Sequence, residues 1–144
     1  MNTTDNTHHR DQSRYLITAP DAAELVSSAL AEGRTDTAVR WLTEAVARLI
    51  ESRGVDIPDD MFEEPATTGD HQFDTVLATA FLYAVYLCGI DAPAWMYVER
   101  LEEEFLWGGD GHESEAYKDF IRRETPAVFL ERNVLCRPRD WVNA

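Results

Sequence analysis

Basic residues are scarce in this chain. Lys118 is the single lysine, and 27 acids stand against 13 bases, for a formal net charge of −14 over 144 residues. That balance excludes a surface built to hold nucleic acid or anionic lipid without sequence preference, since both need positive potential. It suits a basic protein partner, or plain solubility. Cysteine is also scarce: Cys88 and Cys136 lie far apart and neither has a CxxC-like neighbour. Cys88 falls in an apolar run and is expected to pack as a small hydrophobe. The sequence leaves a disulfide open, although a domain of this size does not need one. No apolar stretch reaches the roughly twenty residues that span a bilayer. The longest, residues 76–90, is fifteen residues and is interrupted by Thr79 and two tyrosines. The polar opening MNTTDNTHHRDQSR has no apolar segment of the signal-peptide kind, so the cytoplasm is the expected location. Strand-period alternation, internal repeats and low-complexity blocks are missing as well.

What remains is a helical pattern. Hydrophobic residues make up 44% of the chain, enough for a globular core. The organising stretch is residues 67–90. Gly69-Asp70 breaks the preceding chain, and Asp70 is placed to cap the next helix. From Phe73 onward, Leu77, Phe81, Tyr83, Ala84, Val85, Leu87 and Cys88 cover most of the helical circumference, which predicts a central helix packed on several sides. Gly89 ends it.

Before it, Asp21 and Glu24 resemble a capping box that starts a first helix near Pro20, and Gly33 closes that helix. A second helix follows Thr35. Its apolar stripe is Ala38, Trp41, Leu42, Ala45, Val46, Leu49 and Ile50, while Arg40, Glu44, Arg48 and Glu51 face outward. The short connection makes the two an antiparallel hairpin. Residues 55–68 read as a loop carrying Asp59, Asp60, Met61, Phe62, Glu63 and Glu64 between two prolines. After the central helix, the spacing of Trp95, Val98, Leu101, Phe105 and Leu106 predicts a fourth helix with Glu102, Glu103 and Glu104 on it. Residues 108–113 read as a flexible loop. A fifth helix over residues 114–124 turns Tyr117, Phe120 and Ile121 inward, and Thr125-Pro126 starts a short sixth that ends near Asn133. Residues 134–136 are extended, and a last turn tucks Trp141 against the rest. The fold expected is all-α, a compact bundle of five to seven helices around the central hydrophobic helix. Residues 1–18 are expected to be a disordered tail, and residues 19–144 one domain.

No constellation points to catalysis. Consecutive glutamates such as 102–104 point in different directions on a helix and cannot converge on one substrate. The 108–113 loop lacks the lysine and spacing of a phosphate cradle, and the glycine and glutamate positions of a calcium loop. His8 and His9 fall in the tail, His71 beside Asp70 and Asp74 at a helix start, and His112 in a loop, so the four histidines provide neither a triad nor a metal cage. No enzyme, cofactor or metal is expected.

Three stretches carry a family resemblance: Ala38-Val39-Arg40-Trp41-Leu42, the segment TTGDHQFDTVLA at residues 67–78, and Ala92-Pro93-Ala94-Trp95 with TPAVFLERNVL at residues 125–135. Together they resemble small actinobacterial proteins described as antitoxin-like or as helix-turn-helix-domain-containing proteins, over most of the chain from Asp36. The resemblance implies pairing with a toxin, often of nucleotidyltransferase type. With the acidity, it implies a non-catalytic module that neutralises a cognate protein. Candidate contacts are Asp59, Asp60, Met61, Phe62, Glu63 and Glu64, with Glu102, Glu103 and Glu104 second. A homodimer is a further expectation, with Tyr83, Tyr86 and Trp141 as its anchors. The alternative is a DNA-binding regulator using Arg122, Arg123, Arg132, Arg137 and Arg139. The stretch before the first helix is too short for a complete helix-turn-helix, so nucleic-acid and membrane partners are not expected.

Overall fold

The computed structural model describes residues 16–142. Expectations for residues 1–15, including His8 and His9, lie outside these residues. The protein is mostly helical. Helix α1 (Ala19–Ala31) and α2 (Thr35–Ser52) form the hairpin, α3 (His71–Cys88) is the core helix, and α4 (Glu115–Glu124) and α5 (Ala127–Leu130) follow. Single 3-10 turns lie at Ala94–Met96 and Pro138–Trp141.

Helix α3 forms as its sequence indicates. Asp70 caps it by accepting the Phe73 amide at 3.0 Å, and Gly89 closes it at φ +71, a left-handed position that costs glycine little. Phe73, Val76, Leu77, Phe81, Leu82 and Val85 are all buried. Asp74 adds a clamp that was not apparent from sequence. Its carboxylate accepts the Thr68 amide at 2.7 Å and the hydroxyls of Thr67 and Thr68 at 2.5 and 2.7 Å, which fixes the entry of the chain into α3. Helix α2 ends beside the end of α3. A Cβ on Gly54, at φ +79, would sit 3.2 Å from the Cys88 carbonyl oxygen.

Several expectations are corrected. The cap of α1 is Thr18, whose hydroxyl accepts the Asp21 amide at 3.1 Å, so Asp21 occupies the third helical position. Ile17, which falls in the stretch expected to be tail, is buried. The predicted fourth helix is absent. Beyond the turn at Ala94–Met96 the chain has no regular structure until β1 (Phe105–Leu106), which is paired in parallel with β2 (Val134–Leu135). The fold is therefore not purely α. Helical spacing lost here to distant backbone partners: Leu101 N–H donates to Arg132 O at 3.1 Å, Phe105 N–H to Asn133 O at 2.8 Å and Trp107 N–H to Leu135 O at 2.9 Å. On α4 only Ile121 is buried, and Tyr117 and Phe120 face solvent. Pro126 precedes α5 rather than opening it.

The C-terminal half is held by a column of aromatic rings. Phe73 meets the edge of Trp107 at 5.5 Å, Trp107 stacks on Trp141 at 5.4 Å, Trp141 on Phe129 at 5.4 Å, and Phe129 touches Tyr83 at 5.3 Å. Trp141 is fully buried, so it is a core residue and not an interface anchor. Beside the column, buried Thr125 joins α4 to the chain after β2. Its hydroxyl lies 2.8 Å from both the Ile121 and the Cys136 carbonyl oxygens, and accepts the Cys136 amide at 3.2 Å.

Candidate partner-binding surface

The acidic segment before α3 is anchored from within. Met61 is fully buried, its amide donates to the Pro58 carbonyl at 3.1 Å, and its own carbonyl accepts the Ala19 amide at 2.8 Å. Phe62 is half-buried, and its carbonyl accepts the Trp95 indole N–H at 2.8 Å. With these two residues drawn inward, Asp59, Asp60, Glu63 and Glu64 stand exposed on a fixed ledge. Met61 is thereby removed from the candidate contacts: a side chain with no exposed surface touches no partner. Beside the ledge, Glu64, Pro65, Thr67, Asp74, Leu77 and Trp95 line an open cleft of about 230 Å³.

Trp95 connects this ledge to a second feature. Two residues further on, Tyr97 is 54% exposed, and its hydroxyl lies 3.1 Å from that of Tyr86, itself 52% exposed near the end of α3. The shared hydrogen bond, followed by partial desolvation, raises the Tyr86 pKa. Leu87 is 57% exposed beside Tyr86, and Leu130 is exposed next to Phe129, the residue against which Tyr83 packs. Tyr83 is half-buried, so the tyrosine that reaches solvent on this face of α3 is Tyr86. The sequence did not separate the two because α3 is apolar nearly all round.

Glu102, Glu103 and Glu104 are exposed but lie on no helix. Glu104 is already engaged: Arg122 donates to it through Nε at 2.9 Å and Nη2 at 2.7 Å, and also pairs with Asp119. The Arg122 hydrogen bonds hold the Glu104 carboxyl below its ordinary range. A lowered folded-state pKa contributes stability that is present above the unfolded value and lost as pH falls through the folded one. Both side chains are partly exposed, so Glu104→Gln is expected to cost no more than about 1 kcal/mol at neutral pH, and nothing below the Glu104 pKa, as read by urea melts at the two pH values.

The supposed basic cluster is dispersed. Arg122 is neutralised by Glu104 and Asp119, and the Arg132 side chain is largely buried, with Nη1 donating to the Val128 carbonyl at 2.8 Å. The loop at residues 108–113 shapes a cleft of about 240 Å³ that contains Asp110, Glu113, Arg137 and Asp140. Asp110 accepts the His112 amide at 2.9 Å, and this bond lowers its pKa. His71 and His112 are both exposed. Among the described residues, no group of three or more His, Cys, Asp or Glu side chains is placed to hold a metal, and no helix is long and apolar enough to cross a membrane.

Both cysteines are free. Burial pushes the Cys136 thiol up to about 12, and burial also raises that of Cys88. Thiol labelling of the native protein at mildly alkaline pH is therefore expected to modify Cys88 slowly and to spare Cys136, with both reacting in denaturant. Rapid native labelling of Cys136 would contradict its packing under Trp141, whose indole N–H lies 3.4 Å from its sulfur.

No family model, curated protein or solved structure matches this chain.

Proposed function

We propose that this protein is a non-catalytic interaction module, a compact helical bundle of antitoxin or immunity type that binds and neutralises a basic cognate protein. The observation that carries this reading is the pairing of exposed Tyr86 and Tyr97 on a rigid frame, one short turn from the fixed acids Asp59, Asp60, Glu63 and Glu64. Tyrosines dominate binding energy when they sit on ordered backbone, and surrounding acids steer a basic partner and fix its register. A nucleotide-handling protein, such as a nucleotidyltransferase-type toxin, presents a basic cleft of the required sign. The motif resemblance at residues 67–78 and 125–135 supports the same reading. In the cytoplasm, such a module would meet its partner soon after synthesis. DNA binding gains no support, because two of the arginines it needs, Arg122 and Arg132, serve the chain's own acids and backbone.

The test is co-expression with the product of the adjacent gene, scored by growth and by co-elution. Toxicity of the neighbour alone, relieved on co-expression, with the two eluting together, supports the proposal. A harmless neighbour and separate elution remove its main support.

A further inference from the structure

The cleft beside the acidic ledge combines apolar walls with uncompensated negative charge. Its walls are Pro65, Ala66, Leu77, Ala78 and the Trp95 side chain. Two carboxylates, Glu64 and Asp74, complete it, and no Lys, Arg or His lines it. The cleft at residues 108–113 contains Arg137 by contrast, and a trough along α2 is lined by Arg34, Arg40 and Arg48. Glu64 is exposed and makes no ion pair with another described residue. Asp74 accepts from neutral donors, the Thr68 amide and the Thr67 and Thr68 hydroxyls, so no described cation offsets its charge. Trp95 is fixed twice: its indole N–H donates to the Phe62 carbonyl at 2.8 Å, and its ring lies 6.4 Å from that of buried Phe81. The cleft is therefore formed before anything enters it.

We infer that this cleft is the anchor pocket for one arginine side chain of the partner protein. The inference rests on the reading of this chain as the binder of a basic protein, and names the residue that enters it. A long side chain with an apolar stem and a cationic head matches both halves of the lining: the stem meets the Pro65, Leu77 and Trp95 walls, and the head meets Glu64. Arginine fits better than lysine. Its guanidinium is planar, less strongly hydrated and able to stack on an indole, and its fork of donors matches a carboxylate. A purely apolar anchor would desolvate Glu64 and Asp74 without giving them a partner, and an anion would be repelled by both. The volume of about 230 Å³ accommodates one side chain and not a helix. Exposed Asp59, Asp60 and Glu63 on the adjoining ledge deepen the negative potential at its mouth. Trp95 lies two residues before Tyr97, so the pocket adjoins the tyrosine pair, as clustered hot spots do.

The test is a titration of the isotope-labelled full chain with a glycine-arginine-glycine peptide blocked at both ends, followed by heteronuclear NMR. The same peptide with citrulline, the neutral isostere of arginine, and with lysine is titrated beside it. The arginine peptide is expected to shift the Trp95 indole and the Ala66 and Thr67 amides saturably, with a Kd in the millimolar range. Citrulline should weaken binding at least about fivefold and lysine at least about twofold. Glu64→Gln should weaken the arginine peptide at least about fivefold, whereas Glu124→Gln, at an exposed acid on α4 outside the cleft, should leave it unchanged. Glu64 is exposed, so its amide variant keeps the native fold, which a thermal melt checks. No saturable shift at Trp95, citrulline binding as tightly as arginine, or an unchanged Kd in Glu64→Gln overturns the inference. Lysine binding as tightly as arginine overturns the choice of arginine. The outcome is independent of co-expression. Peptide binding beside a harmless neighbour would overturn only the neutralising role, and a neutralised toxin without peptide binding would overturn only the pocket.

Discussion

Trp141→Ala is expected to destabilise the protein by about 3–5 kcal/mol, the largest effect of any single truncation considered, because it empties the centre of the aromatic column. Trp141 has no exposed surface and is sandwiched between Phe129 and Trp107, with its indole N–H directed at Cys136 Sγ. No neighbour can fill the space, since Phe129 is committed to Tyr83 and Trp107 to Phe73. A loss of that size is a large fraction of the 5–15 kcal/mol typical of a domain. The measurement is a urea melt of the variant beside the native protein, and a midpoint within error of the native value would contradict the packing. Loss of the column also uncovers Cys136, so thiol labelling of the variant should accelerate along with the drop in stability.

Met61→Ala is expected to cost about 2–5 kcal/mol, which separates a packing role from a binding role within one short segment. Met61 is fully buried in the main core, and the loop around it is tied to α1 through the Ala19 amide. Its neighbours Asp59, Asp60, Glu63 and Glu64 are exposed, and substituting them with the corresponding amides should change stability by no more than about 0.5 kcal/mol. Thermal melts of the five variants should therefore fall into two groups. A Met61→Ala midpoint among those of the amide variants would contradict its burial.

How far the fold was legible follows from which interactions are local. Helix α3 could be read because both ends carry their own signals, Asp70 and Gly89, and the residues between them are too apolar for a one-sided surface helix. The α1–α2 hairpin could be read from periodicity and a short connection. Residues 95–106 could not, because Trp95, Val98, Leu101 and Phe105 mimic helical spacing. The backbone amides of Leu101 and Phe105, with that of Trp107, instead pair with residues 132–135, about thirty positions away, and no local rule anticipates that. Asn133 completes the join by donating from Nδ2 to the Leu101 carbonyl at 2.6 Å.

The candidate surface was legible in part for the same reason. The acids at residues 59–64 were visible as a charged block, but the inward turn of Met61 depends on α1, which lies far away in sequence. Tyr86 and Tyr83 look alike in an all-round apolar helix. Only the positions of α5 and of the chain after Ala94–Met96 decide that Tyr83 is covered and Tyr86 is not. Trp41 was assigned to the core by its place in the stripe, yet it lies at the stripe's edge beside Arg40 and keeps 36% of its surface exposed. Thr67 and Thr68 gave the one usable signal that was missed: hydroxyls just ahead of a helix whose first turn holds a second carboxylate, Asp74.

The central claim is that Tyr86 and Tyr97 form the energetic centre of a protein-binding surface. Its most direct test is the affinity of the Tyr86→Ala, Tyr97→Ala double variant for the adjacent-gene product, measured by titration calorimetry beside the native chain. Hot-spot truncation costs at least about 2 kcal/mol, so the account predicts binding weakened roughly thirtyfold or more, with an unchanged thermal melt. Native-like affinity of the double variant would contradict it.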